Sequence, residues 1–125
     1  MTKQIIYLLL SAAFSFLNCK ENDIISKEQN GKTIDVNLNM NFEIALKANP
    51  STGFSWEIIE MDSSIIQFKE KTFTSIDTIP GSSGIEHIVF KTVQKGQSSL
   101  KLGYLRNWEG KGSMADSFSV IIKVY

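Results

Sequence analysis

From residue 33 onward the chain alternates apolar and polar positions with a period of two. Ile34, Val36 and Leu38 interleave with Asp35, Asn37 and Asn39, and Phe42, Ile44 and Leu46 interleave with Glu43, Ala45 and Lys47. Successive side chains of a strand point to opposite faces, so this pattern sets one face on a core and the other in water, as in half-buried antiparallel strands. Stretches rich in β-branched and aromatic residues predict further strands over 54–61, 65–71, 85–93, 98–105 and 118–125. In the last of these Phe118, Val120, Ile122 and Val124 share one face, with Ser119 and Lys123 opposite. Asn49-Pro50, Thr52-Gly53, Pro80-Gly81, Lys95-Gly96 and Lys111-Gly112 separate the runs as turns. No apolar stripe of helical period appears beyond residue 33. Roughly seven or eight short strands with a turn every ~8–12 residues predict an all-β fold, an immunoglobulin-like antiparallel β-sandwich. A barrel is the rival architecture, and the pattern does not choose the strand order.

The N-terminal stretch has a different character. Lys3 precedes a mostly apolar run over residues 5–17, interrupted only by Tyr7, Ser11 and Ser15. A membrane-spanning helix needs about 20 apolar residues, so residues 1–18 read as a secretory signal peptide. The one cysteine, Cys19, stands where the run ends and resembles the acylated Cys of a bacterial lipoprotein box, although Asn18 is not the small residue usual before it. A cut after Ala13-Phe14-Ser15 would instead release a soluble protein with a free thiol. The expectation is an exported chain, lipid-anchored through Cys19 in the cell envelope (periplasmic or cell surface), or secreted where Cys19 is not acylated. Residues 19–32, polar after Cys19, read as a tether, which leaves 33–125 as the domain. A single Cys allows no internal disulfide, so the fold must stand on packing.

Charge and chemistry narrow the function by exclusion. Thirteen basic residues balance thirteen acidic ones with no basic cluster, which argues against nucleic acid as a partner. The one histidine, His87, lies inside a strand pattern without a nucleophile or carboxylate at catalytic spacing. No His/Cys pair has metal-ligand spacing, and Gly81-Ser82-Ser83-Gly84 lacks the ending and context of a phosphate loop. The reading is a non-enzymatic binding protein without metal or cofactor.

Three connections carry unusual composition. In Asn49-Pro50-Ser51-Thr52-Gly53-Phe54-Ser55-Trp56, Pro50 fixes its own φ and restricts Asn49, Gly53 can take positive φ, and small hydroxyls stand at the tip. Trp56, past the turn, reads as a core residue. Gly81 to Gly84 lack bulky side chains, and Arg106-Asn107-Trp108-Glu109 sets an Arg and a Trp, the types that most often dominate binding energy, beside Gly110. The first element resembles the Asn-Pro-Thr-Thr-Gly-Tyr/Phe-x-Trp signature of the chagasin family of cysteine protease inhibitors. The second resembles that family's Gly-x-Gly-Gly element, with Ser83 for the third-position glycine. The third resembles its Arg-Pro-Trp element, with Asn107 for proline. Order and spacing match over roughly residues 33–125, as in a bacterial, lipoprotein-like member of that family.

The resemblance implies an immunoglobulin-like sandwich whose three loops gather at one end and occlude the cleft of papain-like, cathepsin L-like cysteine proteases. Carried over by position, Asn49, Pro50, Ser51, Thr52, Gly53 and Phe54 would stand over the catalytic Cys and His of the target. Arg106, Asn107 and Trp108 would pack on one side of the cleft, and Gly81, Ser82, Ser83 and Gly84 on the other. A monomer suffices for such a role, and the membrane enters only through an anchor at Cys19. Asn107 lacks the fixed φ of proline, which predicts a freer third loop, and Ser83 resists positive φ. The alternative reading is an exported binding or adhesion lipoprotein without protease inhibition.

Overall fold

The computed structural model describes residues 22–79 and 81–125. The expected signal peptide, Cys19 and Pro80 lie outside the described residues. Eight strands form two four-stranded sheets: β1 (Asn22–Ile25), β2 (Thr33–Val36), β3 (Asn41–Ala48), β4 (Ser55–Met61), β5 (Ile66–Ser75), β6 (Gly84–Thr92), β7 (Gly96–Leu105) and β8 (Asp116–Val124). One sheet runs β1-β3-β6-β5 and the other β2-β8-β7-β4. The period-two pattern is carried directly into burial. Phe42, Ile44 and Leu46 of β3 and Ile88 and Phe90 of β6 are buried from one sheet, and Leu100, Leu102, Phe118, Val120, Ile122 and Val124 from the other. Phe42 pairs with Phe90 across the ladder, their rings stacked at 5.4 Å. Trp56 is a core residue, 3 % exposed, and its indole N–H donates to the Lys47 carbonyl at 3.0 Å.

The structure adds two features to the expected all-β sandwich. The stretch read as a tether is part of the sandwich from residue 22 onward: β1 pairs with β3, and Ile25 is 2 % exposed. The turn after β1 is fastened to β8, with the Gly31 N–H donating to the Ser119 carbonyl (2.6 Å) and the Ser119 N–H to Asn30 Oδ1 (2.8 Å). Lys27 also reaches Asp116 at 2.9 Å. Asn22-Asp23-Ile24-Ile25 is too short and too polar to show an alternation of its own, so only its partners reveal it. The sheets are also mixed rather than wholly antiparallel. The chain crosses from one sheet to the other between β1 and β2, so β1 lies parallel to β3 and β2 parallel to β8.

The side where β4 and β5 form the outer strands is closed by polar side chains. Glu86, 5 % exposed, accepts the Trp56 N–H at 3.2 Å and lies 3.3 Å from the Lys71 ammonium. Lys71 donates to the Trp56 carbonyl at 2.9 Å and stands 3.5 Å from Glu57. Both backbone groups of Trp56 thus end on side chains of the opposite sheet, which satisfies an edge that would otherwise offer itself to another strand.

Because β3, β5 and β7 run in one direction, the connections that follow them all emerge at the same end. If β1 belongs to the fold, Ile25→Ala should lower the stability of residues 20–125 by about 2–4 kcal/mol, since a buried Ile is truncated. Urea unfolding checks this; an unchanged midpoint would return the segment to a tether.

Candidate functional site

The loop between β3 and β4 is a single 3-10 turn, Pro50–Thr52, with Asn49 as its N-cap and Gly53 as its C-cap. Asn49 Oδ1 accepts the Ser51 N–H at 3.2 Å and the Ser51 hydroxyl at 2.6 Å. The Thr52 hydroxyl donates to the Asn49 carbonyl at 2.7 Å, and the Gly53 N–H donates to the Pro50 carbonyl at 3.0 Å. The small hydroxyls expected at the tip are therefore used inside the loop, where they stiffen it. Gly53 sits at φ 83°, the left-handed region in which a side chain is strained. A Cβ there would also collide with the Trp108 indole, which rests on this glycine.

The other two loops are tied to the first. The Ser51 hydroxyl lies 3.2 Å from the Gly81 carbonyl, and Arg106 Nε donates to the Thr52 carbonyl at 3.1 Å. Arg106 also lies over the Phe54 ring, 4.5 Å from its centroid. Phe54 is half-buried and stacks on Tyr104 at 5.3 Å, so it supports Arg106 from below rather than standing at the tip. The Tyr104 hydroxyl in turn accepts the Asn49 N–H at 2.8 Å. Trp108 is 71 % exposed, the most exposed large apolar side chain among the described residues.

The β5–β6 hairpin forms the second wall. Gly81 adopts φ 82°, while Ser82 and Ser83 are half-exposed, and Ser83 does not adopt the positive φ that its side chain would oppose. Gly84 differs from the expectation of an exposed loop residue. It is the first residue of β6, buried, with the Phe73 ring and the Thr74 carbonyl occupying the space a side chain would need. Ile76 and Ile79, each 63 % exposed, stand at the hairpin tip. With Pro50, Ser51, Phe73 and Gly81 they line an open cleft of about 600 Å³ between the first and second loops.

The third loop is held by more than its sequence suggests. Asn107–Glu109 forms a 3-10 turn that follows the extended Arg106. The Ser113 hydroxyl accepts the Arg106 N–H at 3.1 Å, and Asn107 Nδ2 donates to Glu57 Oε1 at 3.0 Å. Burial pushes the Glu57 carboxyl up, but the Ser55 hydroxyl, the Lys71 ammonium and the Asn107 amide outweigh it, leaving its pKa below the ordinary value of 4.5. The freer loop expected from the missing proline is thus countered by a side-chain anchor.

All three loops that carry the predicted residues meet; Gly84 withdraws from their surface, and Phe54 lies beneath Arg106. Reading the sequence missed Tyr104, Glu57, Ile76 and Ile79. Tyr104 and Glu57 fall on strands and gave only strand signals, while the two isoleucines lie in a segment without turn motifs of its own. His87, set aside as a catalyst, pairs with Glu43 on the outer face of its sheet at 2.9 Å.

Residues 35–122 match the Chagasin family peptidase inhibitor I42. The chain is 29 % identical to chagasin of Trypanosoma cruzi over 104 residues, covering 79 % of this chain and 94 % of that one. It is 33 % identical to amoebiasin-2 of Entamoeba histolytica over 112 residues, covering 80 % of this chain and 85 % of that protein. Among solved structures, the cysteine protease inhibitor EhICP2 from Entamoeba histolytica superposes with a TM-score of 0.73 at 26 % identity, covering 83 % of this chain and 96 % of the other. A match that runs from β2 into β8 takes in all three loops and nearly the whole sandwich, and the chain belongs to the chagasin family of peptidase inhibitors.

Proposed function

We propose that this protein is a reversible, competitive inhibitor of papain-like, cathepsin L-like cysteine proteases, acting as a monomer that fills the active-site cleft with its three loops. One observation carries the reading: the loops are bonded to each other as well as to the sandwich. Arg106 holds the Thr52 carbonyl, Ser51 reaches the Gly81 carbonyl, and Trp108 lies on Gly53. A surface assembled before contact loses little conformational entropy on docking, so more of the contact energy appears as affinity. Three such loops burying about 800 Å² on each partner would form an interface of ordinary size.

The central turn explains why the loop would be bound without being cut. The Asn49 and Pro50 carbonyls already accept hydrogen bonds from Thr52 and Gly53 within a curled turn. A carbonyl so held is not presented along an extended chain for attack by a thiolate, and without near-attack geometry the acyl transfer does not begin. Trp108 and Arg106 would grip one rim of the cleft, and Gly81 to Ser83, with Ile76 and Ile79, the other. The same reading places the protein outside the cytoplasm, lipid-anchored at Cys19 or secreted where Cys19 is not acylated; it rests on the signal-like layout of residues 1–19.

Titrating papain or cathepsin L with residues 20–125 should abolish cleavage of a small fluorogenic peptide, competitively with substrate and with intact inhibitor recovered. Absence of inhibition of both enzymes at micromolar concentration would overturn the reading. Trp108→Ala should cost about 2 kcal/mol or more in affinity, roughly a thirtyfold rise in inhibition constant. Gly53→Val should weaken inhibition at least as much while the sandwich still folds, because it strains φ and displaces Trp108 together; unaltered inhibition would remove the central turn from the interface. For localisation, Cys19→Ser should move the full-length protein from the detergent phase to the aqueous phase in phase partitioning, and an aqueous wild type would exclude the anchor.

A further inference from the structure

The strand that leaves the central turn carries a carboxylate at the meeting point of both sheets and the third loop. Glu57 Oε1 accepts the Ser55 hydroxyl at 2.6 Å and the Asn107 side-chain amide at 3.0 Å. Lys71 of β5 stands 3.5 Å away and is itself held by the Trp56 carbonyl and by Glu86 of β6. Within the third loop Arg106 and Glu109 face each other at 3.4 Å. Asn107 is therefore fastened through Glu57 to a lysine that spans the two sheets. The residue next to it is Trp108, whose indole lies on Gly53. Ser113 fixes the start of this loop by accepting the Arg106 N–H. Among the described residues, the Asn107–Glu57 hydrogen bond alone joins the turn that carries Trp108 to the face of β4.

We propose that Glu57 is a positioning residue for inhibition: by holding Asn107 it fixes the turn that sets Trp108 on the central loop. The inference rests on the inhibitory reading above, and it assigns to a strand residue outside the three motifs the task of orienting the principal contact side chain. The bond does by hydrogen bonding what a restricted backbone would do covalently. Asn107 is the first residue of its 3-10 turn and follows an Arg106 at φ −94°, ψ 118°. The first N–H of a helical turn has no partner within the turn, and an extended preceding residue is what proline requires, so proline fits at position 107 without Glu57.

That substitutability supplies the test. Nitrogen-15 relaxation of residues 106–110 and of the Trp108 indole, with inhibition constants against papain alongside, is measured in the wild type, Glu57→Ala, Asn107→Pro and the double variant of residues 20–125. In Glu57→Ala the order parameters of the turn should fall from about 0.85 toward 0.6. The inhibition constant should rise about two- to tenfold, the effect of one lost hydrogen bond. In the double variant Asn107→Pro should restore both. Glu57→Gln keeps an oxygen for Asn107 but loses the attraction of Lys71, and should fall between wild type and Glu57→Ala. An ordered Trp108 in Glu57→Ala, or a double variant as mobile as Glu57→Ala, would overturn the proposal. If Glu57→Ala does not fold, Asn107→Ala severs the same bond from the exposed loop and is held to the same outcomes. Should the wild type fail to inhibit, the inhibitory reading falls on its own, and the relaxation data still decide whether Glu57 orders the turn.

Discussion

Phe42 lies across from Phe90 in one sheet and Leu102 across from Phe118 in the other, and all four are buried in the layer between. This contact fixes the register of the whole molecule. Strand side chains alternate with a period of two, so slipping any of these ladders by one residue would turn its large apolar groups into water and its polar ones into the core. A fixed register fixes where each strand stops. The stops of β3, β5 and β7 then bring three separate stretches of sequence to one end, within hydrogen-bonding distance of one another. The geometry of the loops is in this sense a consequence of the core.

What the loops add is mutual support. Phe54 stacks on Tyr104, Arg106 covers Phe54 and bonds the Thr52 carbonyl, and Trp108 closes over Gly53. Each contact is modest, since all lie at a surface where water competes. Together with the Ser51–Gly81 contact they convert three turns into one body without a disulfide. The polar bridge at the β4–β5 side works in the same way. Lys71 and Glu86 occupy the backbone groups of Trp56, so the strand that leads out of the central turn is anchored at its root.

The parts of this architecture that were legible in the sequence are those with a period or a motif. The faces of β3, β6 and β8 are visible in Phe42-x-Ile44-x-Leu46, Ile88-x-Phe90 and Phe118 to Val124, because burial of alternate residues leaves a periodic mark. The central turn is visible because Pro50 and Gly53 are needed for backbone reasons that other residues meet poorly. The first strand was not legible, since four residues are too few to leave a pattern, even with Ile25 buried. Nor were the roles of Glu57, Lys71 and Tyr104, because a long-range hydrogen bond leaves no local trace: Asn107 meets Glu57 fifty positions earlier in the chain. The departure at Asn107 shows the limit from the other direction. One residue read alone suggests a looser loop, and its partner reverses that conclusion.

β1 runs parallel to β3, with Asn22 beside Asn41 at the start of that strand, whereas the central turn begins past its far end at Ala48. Eight residues of strand separate the two levels, roughly 25 Å at about 3.3 Å per residue. The chain therefore enters the sandwich at the pole opposite the three loops. Whatever holds the protein by its N-terminal side, whether a surface, a support or a fused partner, leaves the loops facing outward.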